Sequence, residues 1–105
     1  MDNVSEFKVG DILVGFCGIH WFYRVLKVNP KSMKVILLET NKEKVEGSTA
    51  LKISPKFSSP SWAMPEVAKR VRYGEQEVLF IPHSKHDILG RYESTRAYLD
   101  SNCER

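Results

Sequence analysis

Cysteine is scarce in this sequence. Two occur in 105 residues, Cys17 and Cys103, near opposite ends of the chain. With no export signal they are expected as reduced thiols rather than as a disulfide. Long apolar runs are missing too: stretches such as Val35-Ile36-Leu37-Leu38 fall far short of the ~20 residues that cross a bilayer. Met1 to Glu6 carry two acids and no basic residue, the reverse of a secretory start. These shortages predict a cytoplasmic protein with no membrane partner. Glycine-rich phosphate loops, a serine in a strand-to-helix elbow and acid pairs at a recognisable spacing are all lacking. The chain is therefore expected to bind rather than to catalyse, with no catalytic residue, no metal and no cofactor. Internal repeats and low-complexity tracts are absent as well. Net charge is small: sixteen Lys and Arg against thirteen Asp and Glu leave +3. That excess is too weak by itself to argue for nucleic acid, and it has the wrong sign for an acidic mimic of DNA.

What is present reads as short strands and turns. The apolar fraction of 42% and the charged fraction of 28% are those of an ordinary globular chain, and the length predicts a single domain over 1–105. Ile12-Leu13-Val14 is bounded by Gly10-Asp11 and Gly15 and predicts a strand, with a bend over Gly15 to Gly18. His20 to Val28 is the longest β-rich segment. Strict alternation puts Trp21, Tyr23, Val25 and Lys27 on one face and Phe22, Arg24, Leu26 and Val28 on the other. Both faces are largely apolar, so this strand is expected to be central. Asn29 to Ser32 turns the chain into a strand over Met33 to Thr40, making an antiparallel hairpin. Asn41 to Lys44 reads as a polar connection and Thr49 to Ser54 as a weaker strand.

Pro55, Pro60 and Pro65 are spaced five apart, which excludes a helix or a central strand between Ser54 and Glu66 and leaves a long extended loop. Loops of that length in a compact domain are often functional. Val67 to Tyr73 and Glu77 to Ile81 predict a second hairpin that ends at Pro82. For Tyr92 to Leu99 a last strand and a helical turn capped by Ser94 both fit, with the helical turn preferred. Five or six short strands and one long Pro-rich loop predict a mainly β fold, a small antiparallel SH3-like barrel, with an OB-like barrel as the second choice.

The strand Val9 to Ile12, followed by Phe22-Tyr23-Arg24-Val25-Leu26-Lys27-Val28 with Lys31 and Val35, resembles a set of small uncharacterised phage and mobile-element proteins. Lys69-Arg70-Val71, Tyr73 and Val78 to Ile81 extend the resemblance to about half of the chain. The aromatic Trp-Asp-Gly tail of that set is replaced here by Ile88 to Tyr92. The resemblance implies an SH3-like barrel and a host cytoplasm as the place of action; it brings no site residues. Gly10-Asp11-Ile12 is also similar to the opening of barrel-shaped ribonuclease toxins. Their basic, proline-containing loop is replaced here by Gly15 to Gly18, so no catalytic role carries over. Asp11, His20, Ser84 and His86 are the residue types that could otherwise act.

The binding candidates lie between Lys52 and Arg72, where Lys52, Lys56, Lys69, Arg70 and Arg72 face the single acid Glu66, with Phe57, Trp62 and Tyr73 close by. Cations that follow phosphates beside aromatics that stack bases are what single-strand binding by small barrels uses. On that reading Lys56, Lys69, Arg70 and Arg72 meet phosphates and Trp62 or Tyr73 meets bases. Alternation puts Lys69 and Val71 on one strand face and Arg70 and Arg72 on the other, so the cluster is split. The alternative is a protein-binding inhibitor of a host or defence enzyme, anchored by the Pro-rich loop with Phe57 and Trp62. A third reading is a dimer of barrels that encloses a charged small molecule. His20 to Tyr23 reads as barrel core with Trp21 and Tyr23 partly exposed, or as a groove for an extended peptide. Cys17-x-x-His20 and His83-x-x-His86 contain zinc-ligand types without a zinc-knuckle pattern, and the histidines beside Pro82 and Asp87 read as polar surface.

Overall fold

A computed structural model describes residues 7–101, without the side chains of Tyr73, Gln76, Glu77 and Ser101. Cys103 lies outside the described residues. The chain forms nine strands: β1 (Ile12–Cys17), β2 (Ile19–Val28), β3 (Ser32–Leu37), β4 (Thr40–Lys44), β5 (Ala50–Pro55), β6 (Glu66–Tyr73), β7 (Gln76–Ile81), β8 (His86–Arg91) and β9 (Tyr98–Ser101). Six of them, in the order β1-β2-β3-β6-β7-β8, close into an antiparallel barrel, because β8 also pairs with β1. This is the mainly β, SH3-like barrel expected from the sequence. The other three form a separate sheet, β4-β5-β9. No helix among the described residues is long and apolar enough to cross a membrane.

Several local expectations need correction. The segment Gly15 to Cys17 is not a bend but the second half of β1, and the turn is made at Gly18, whose φ of +76° suits glycine. Gly15 matters for another reason. A Cβ there would sit 3.1 Å from Cε2 of Tyr23, so a side chain would press on the ring. Asn41 to Lys44 is strand β4 rather than a connection, and Ala50 to Pro55 pairs with it instead of joining the barrel. β4 is an edge strand, and its exposed Lys42, Glu43 and Lys44 are the charges that keep such an edge from pairing with other chains. The tail makes a single turn, closed by the Arg96 N–H on the Glu93 carbonyl at 3.0 Å, and then runs as β9 against β5. The preferred helical turn therefore gives way to a strand.

Two cores result, and β2 belongs to both. Leu13, Tyr23, Val25, Met33, Val35, Ala68, Leu79 and Ile81 fill the barrel. Val14 and Phe22 point out through the barrel wall and are covered by Leu51, Ile53 and Tyr98 of the small sheet. That second layer explains why both faces of β2 are apolar. Asp100 on β9 fastens the layers together. It is buried, and its carboxylate accepts from the His20 N–H at 3.0 and 3.2 Å and lies 2.6 Å from His20 Nδ1. The His20 ring also meets Phe16 and Tyr98 edge-on.

β2 also carries a bulge. Val25 pairs with Val35, but the next pair is Lys27 with Lys34, so Leu26 is the extra residue. Past it the alternation is inverted: Val28 packs against the barrel core and Lys27 is exposed. Strict alternation would place Lys27 with Tyr23 and Val25. The bulge instead moves it to the outer face, beside Arg24.

Candidate functional site

The outer face of the barrel is cationic where β2, β3 and β6 lie side by side. Arg24, Lys27, Lys34 and Lys69 are exposed there. Register sets Lys27 directly opposite Lys34, and Lys34 opposite Val67 on the next strand. Lys69 lies between Ser32 on one side and Phe80 on the other. Like charges directly opposite in an antiparallel pair are destabilising, and Lys27 and Lys34 have no ion-pair partner among the described residues. Of the four cations only Lys69 was among the sequence candidates. Arg24, Lys27 and Lys34 were not, and for Lys27 the reason is the bulge at Leu26.

Residues 56–65 form the long loop that leads into β6, as the prolines predict, and it extends this face. Trp62 is 71% exposed and Met64 74% exposed. Trp62 lines two grooves. One, of about 640 Å³, also contains Met64, Glu66, Val67, Lys69 and Ser84. The other, of about 380 Å³, also contains Trp21, Glu39, Lys42, Lys56 and Pro60. A path can therefore be traced from Lys27 and Lys34 past Lys69, over the Trp62 indole and on to Lys56 and Lys42. Cations lie on both sides of one exposed aromatic.

The remaining candidates fall elsewhere. Phe57 is 75% exposed in the same loop but lines neither groove. Alternation from buried Ala68 turns Arg70 and Arg72 to the opposite face of β6 from Lys69, so they are off the path, as the split in the sequence implies. Arg70 lines a different groove with Phe7, Leu79 and Asp87. The backbone of Tyr73 ends β6, but its side chain lies outside the described residues.

The mouth of the barrel holds a polar network that the sequence did not bring together. Tyr23 is buried rather than partly exposed. Burial, reinforced by the nearby charge of Glu66, pushes its phenol well above the usual range. Its hydroxyl is hydrogen-bonded to Nδ1 of His86. The His86 ring stacks on Trp21 at 5.3 Å and 15°, and the buried Trp21 Nε1 has no hydrogen-bond partner among the described residues. Ser84 donates to Glu66 Oε1 beside the larger groove. His86 is thus tied into the structure rather than being polar surface, and His20 is tied to Asp100. Asp11 is tied as well, accepting from Lys8 N at 2.8 Å and Arg91 Nε at 3.0 Å. Among the described residues no three His, Cys, Asp or Glu side chains are grouped to hold a metal ion.

Burial lowers the His86 pKa below its ordinary 6.5, with Glu66 opposing the shift. The sign follows from linkage: the unfolded chain binds this proton more readily than the folded one, so stability rises with pH through the window. The contribution is fully present above about 6.5 and is lost as pH falls through the lower folded value. Thermal unfolding at pH 7.5 and pH 5 should show a lower midpoint at pH 5. The difference should shrink in His86→Gln, which keeps a hydrogen-bonding group for Tyr23. An equal drop in wild type and variant would assign the effect to other groups.

No protein-family model, curated protein or solved structure matches the chain. The functional reading therefore rests on the geometry of the site.

Proposed function

We propose that this barrel is a non-catalytic binding protein for single-stranded nucleic acid. Arg24, Lys27, Lys34, Lys69, Lys56 and Lys42 would meet phosphates, and Trp62 would stack a base. The observation that carries the reading is the placement of Trp62 between Lys69, in one groove that the indole lines, and Lys42 and Lys56, in the other. A cationic track interrupted by an exposed aromatic suits a flexible strand, because the phosphates repeat along it and every base has a face to stack. The outer faces of β2, β3 and β6 contribute no acid among the described side chains, which suits a polyanion there, while Glu66 and Glu39 each line one of the two grooves. On the resemblance of the strand motifs, the protein would act in a host cytoplasm.

The test is titration of tryptophan fluorescence with short single-stranded DNA and RNA at about 50 and 200 mM salt. Quenching is expected, and log affinity should fall with log salt with a slope of roughly −4 if all six cations meet phosphates. Trp62→Ala should weaken binding by about 1–3 kcal/mol without altering the slope, since it removes a stack and no charge. Affinity that is the same at both salts would overturn the reading. Capture of a protein partner that depends on Phe57 and Met64 but not on Lys34 would replace it with the inhibitor reading.

A further inference from the structure

Two acids lie on the track read as binding phosphates: Glu39 in the smaller groove, which accepts from Ser58 Oγ at 3.1 Å, and Glu66 in the larger. The register of Glu66 opposite Val35 turns it to the mouth of the barrel, where it lines the larger groove with Trp62, Met64, Val67, Lys69 and Ser84. A carboxylate there repels the nucleic-acid backbone, and it is the single acid in the chain from Lys52 to Arg72. Ser84 occupies one acceptor position on Oε1. An ionised carboxylate offers about four such positions, so the group retains capacity toward the groove. It can only accept.

We propose that this groove is a guanine subsite, in which Glu66 accepts the N1–H and N2–H of a base stacked against Trp62 while Lys69 holds the adjoining phosphate. The inference rests on the nucleic-acid reading and adds a base preference to it. Guanine alone among the common bases presents two adjacent N–H donors on its Watson–Crick edge. Adenine and cytosine each set one amino group beside a ring nitrogen acceptor, which would face the carboxylate lone pair to lone pair. Uracil and thymine place a single N–H between two carbonyl oxygens. A groove of about 640 Å³ lies within the ~300–1,000 Å³ range of small-ligand pockets, and its mostly apolar walls with few polar groups suit a flat heterocycle. Base edges splayed out of a single strand are read in this way, by stacking plus hydrogen bonds.

The experiment compares wild type and Glu66→Gln in fluorescence titrations with GMP, IMP, AMP, CMP and UMP, and with oligo(dT) carrying one central dG, dA or dC. Wild type should favour GMP over the AMP, CMP and UMP set by at least tenfold. It should also favour GMP over IMP, which lacks the N2 amino group; that comparison needs no variant and stands even if Glu66→Gln fails to fold. Glu66→Gln should lose the dG preference while plain oligo(dT) binding is strengthened, since the variant removes a repulsion on the backbone. Salt-dependent oligo(dT) binding with no dG or GMP preference would overturn the subsite and leave the cationic track intact. A preference that survives Glu66→Gln would also overturn it. GMP binding without binding of any oligonucleotide would overturn the track and leave the pocket, and failure of every ligand would remove both.

Discussion

Phe22→Ala should cost about 3–5 kcal/mol of stability, the range for removing a large aromatic from a packed interior. A domain of this kind has only about 5–15 kcal/mol in total, so the variant should stand near the edge of folding. The reason is position as much as size. Phe22 is fully buried, but not in the barrel. It projects through the wall from β2 and is the ring on which the small sheet rests, edge-on to Tyr92 at 5.5 Å and to Tyr98 at 6.0 Å. Each such pair adds about 0.5–1.5 kcal/mol beyond area burial. Truncation would open a cavity between two sheets joined elsewhere by the His20–Asp100 contact. Denaturant unfolding measures the cost directly. A loss under about 1 kcal/mol would mean that the small sheet can collapse onto the barrel without the ring. Phe57→Ala is the control: Phe57 is 75% exposed, and surface changes of that kind stay within about 0.5 kcal/mol.

The barrel was legible because its determinants are local. Apolar alternation in β1, β3, β6 and β7, the Asn29-Pro30 turn and the proline spacing around residues 55–65 each specify one hairpin or one loop. The second layer left a visible trace as well, in the two apolar faces of β2. That trace does not say what covers the outer face, and β4 gave no hint, because an edge strand protected by Lys42, Glu43 and Lys44 has the composition of a loop. β8 was hidden, and β9 was legible only as one of two alternatives, for a different reason. β8 begins after a turn in which Lys85 adopts a φ of +58°, a conformation for which lysine has no preference, and β9 is defined by its pairing with β5 rather than by its own pattern. Trp62 was legible as an exposed aromatic in a proline loop. Its neighbours were not, since the single extra residue at Leu26 decides whether Lys27 faces the core or joins Arg24 and Lys34. Glu66 was legible only as the lone acid in a basic stretch; its pairing with Ser84 depends on two strands meeting at the mouth of the barrel.

Lys34→Glu should change stability and binding in opposite directions. In the fold, Lys34 lies directly across from Lys27, and reversing its sign converts a like-charge pair into an ion pair. Cross-strand pairs of that kind contribute about 0.2–1 kcal/mol, so the variant should unfold at a slightly higher denaturant concentration. On the track, the same change takes a cation away from one phosphate and adds a repulsion. Affinity for single-stranded oligonucleotide at low salt should fall on the order of tenfold or more, and the salt slope should become shallower by about 0.7 for that one phosphate. Lys27→Glu should behave the same way, whereas the double variant restores a like-charge pair and should lose both the added stability and the remaining affinity. This combination separates a functional cationic face from one that serves only solubility. A face selected for solubility has no reason to keep two lysines in register when one acid would stabilise the hairpin, and its reversal would leave oligonucleotide affinity unchanged. A more stable protein that binds less well is the outcome expected where a fold tolerates local repulsion for the sake of a polyanionic ligand.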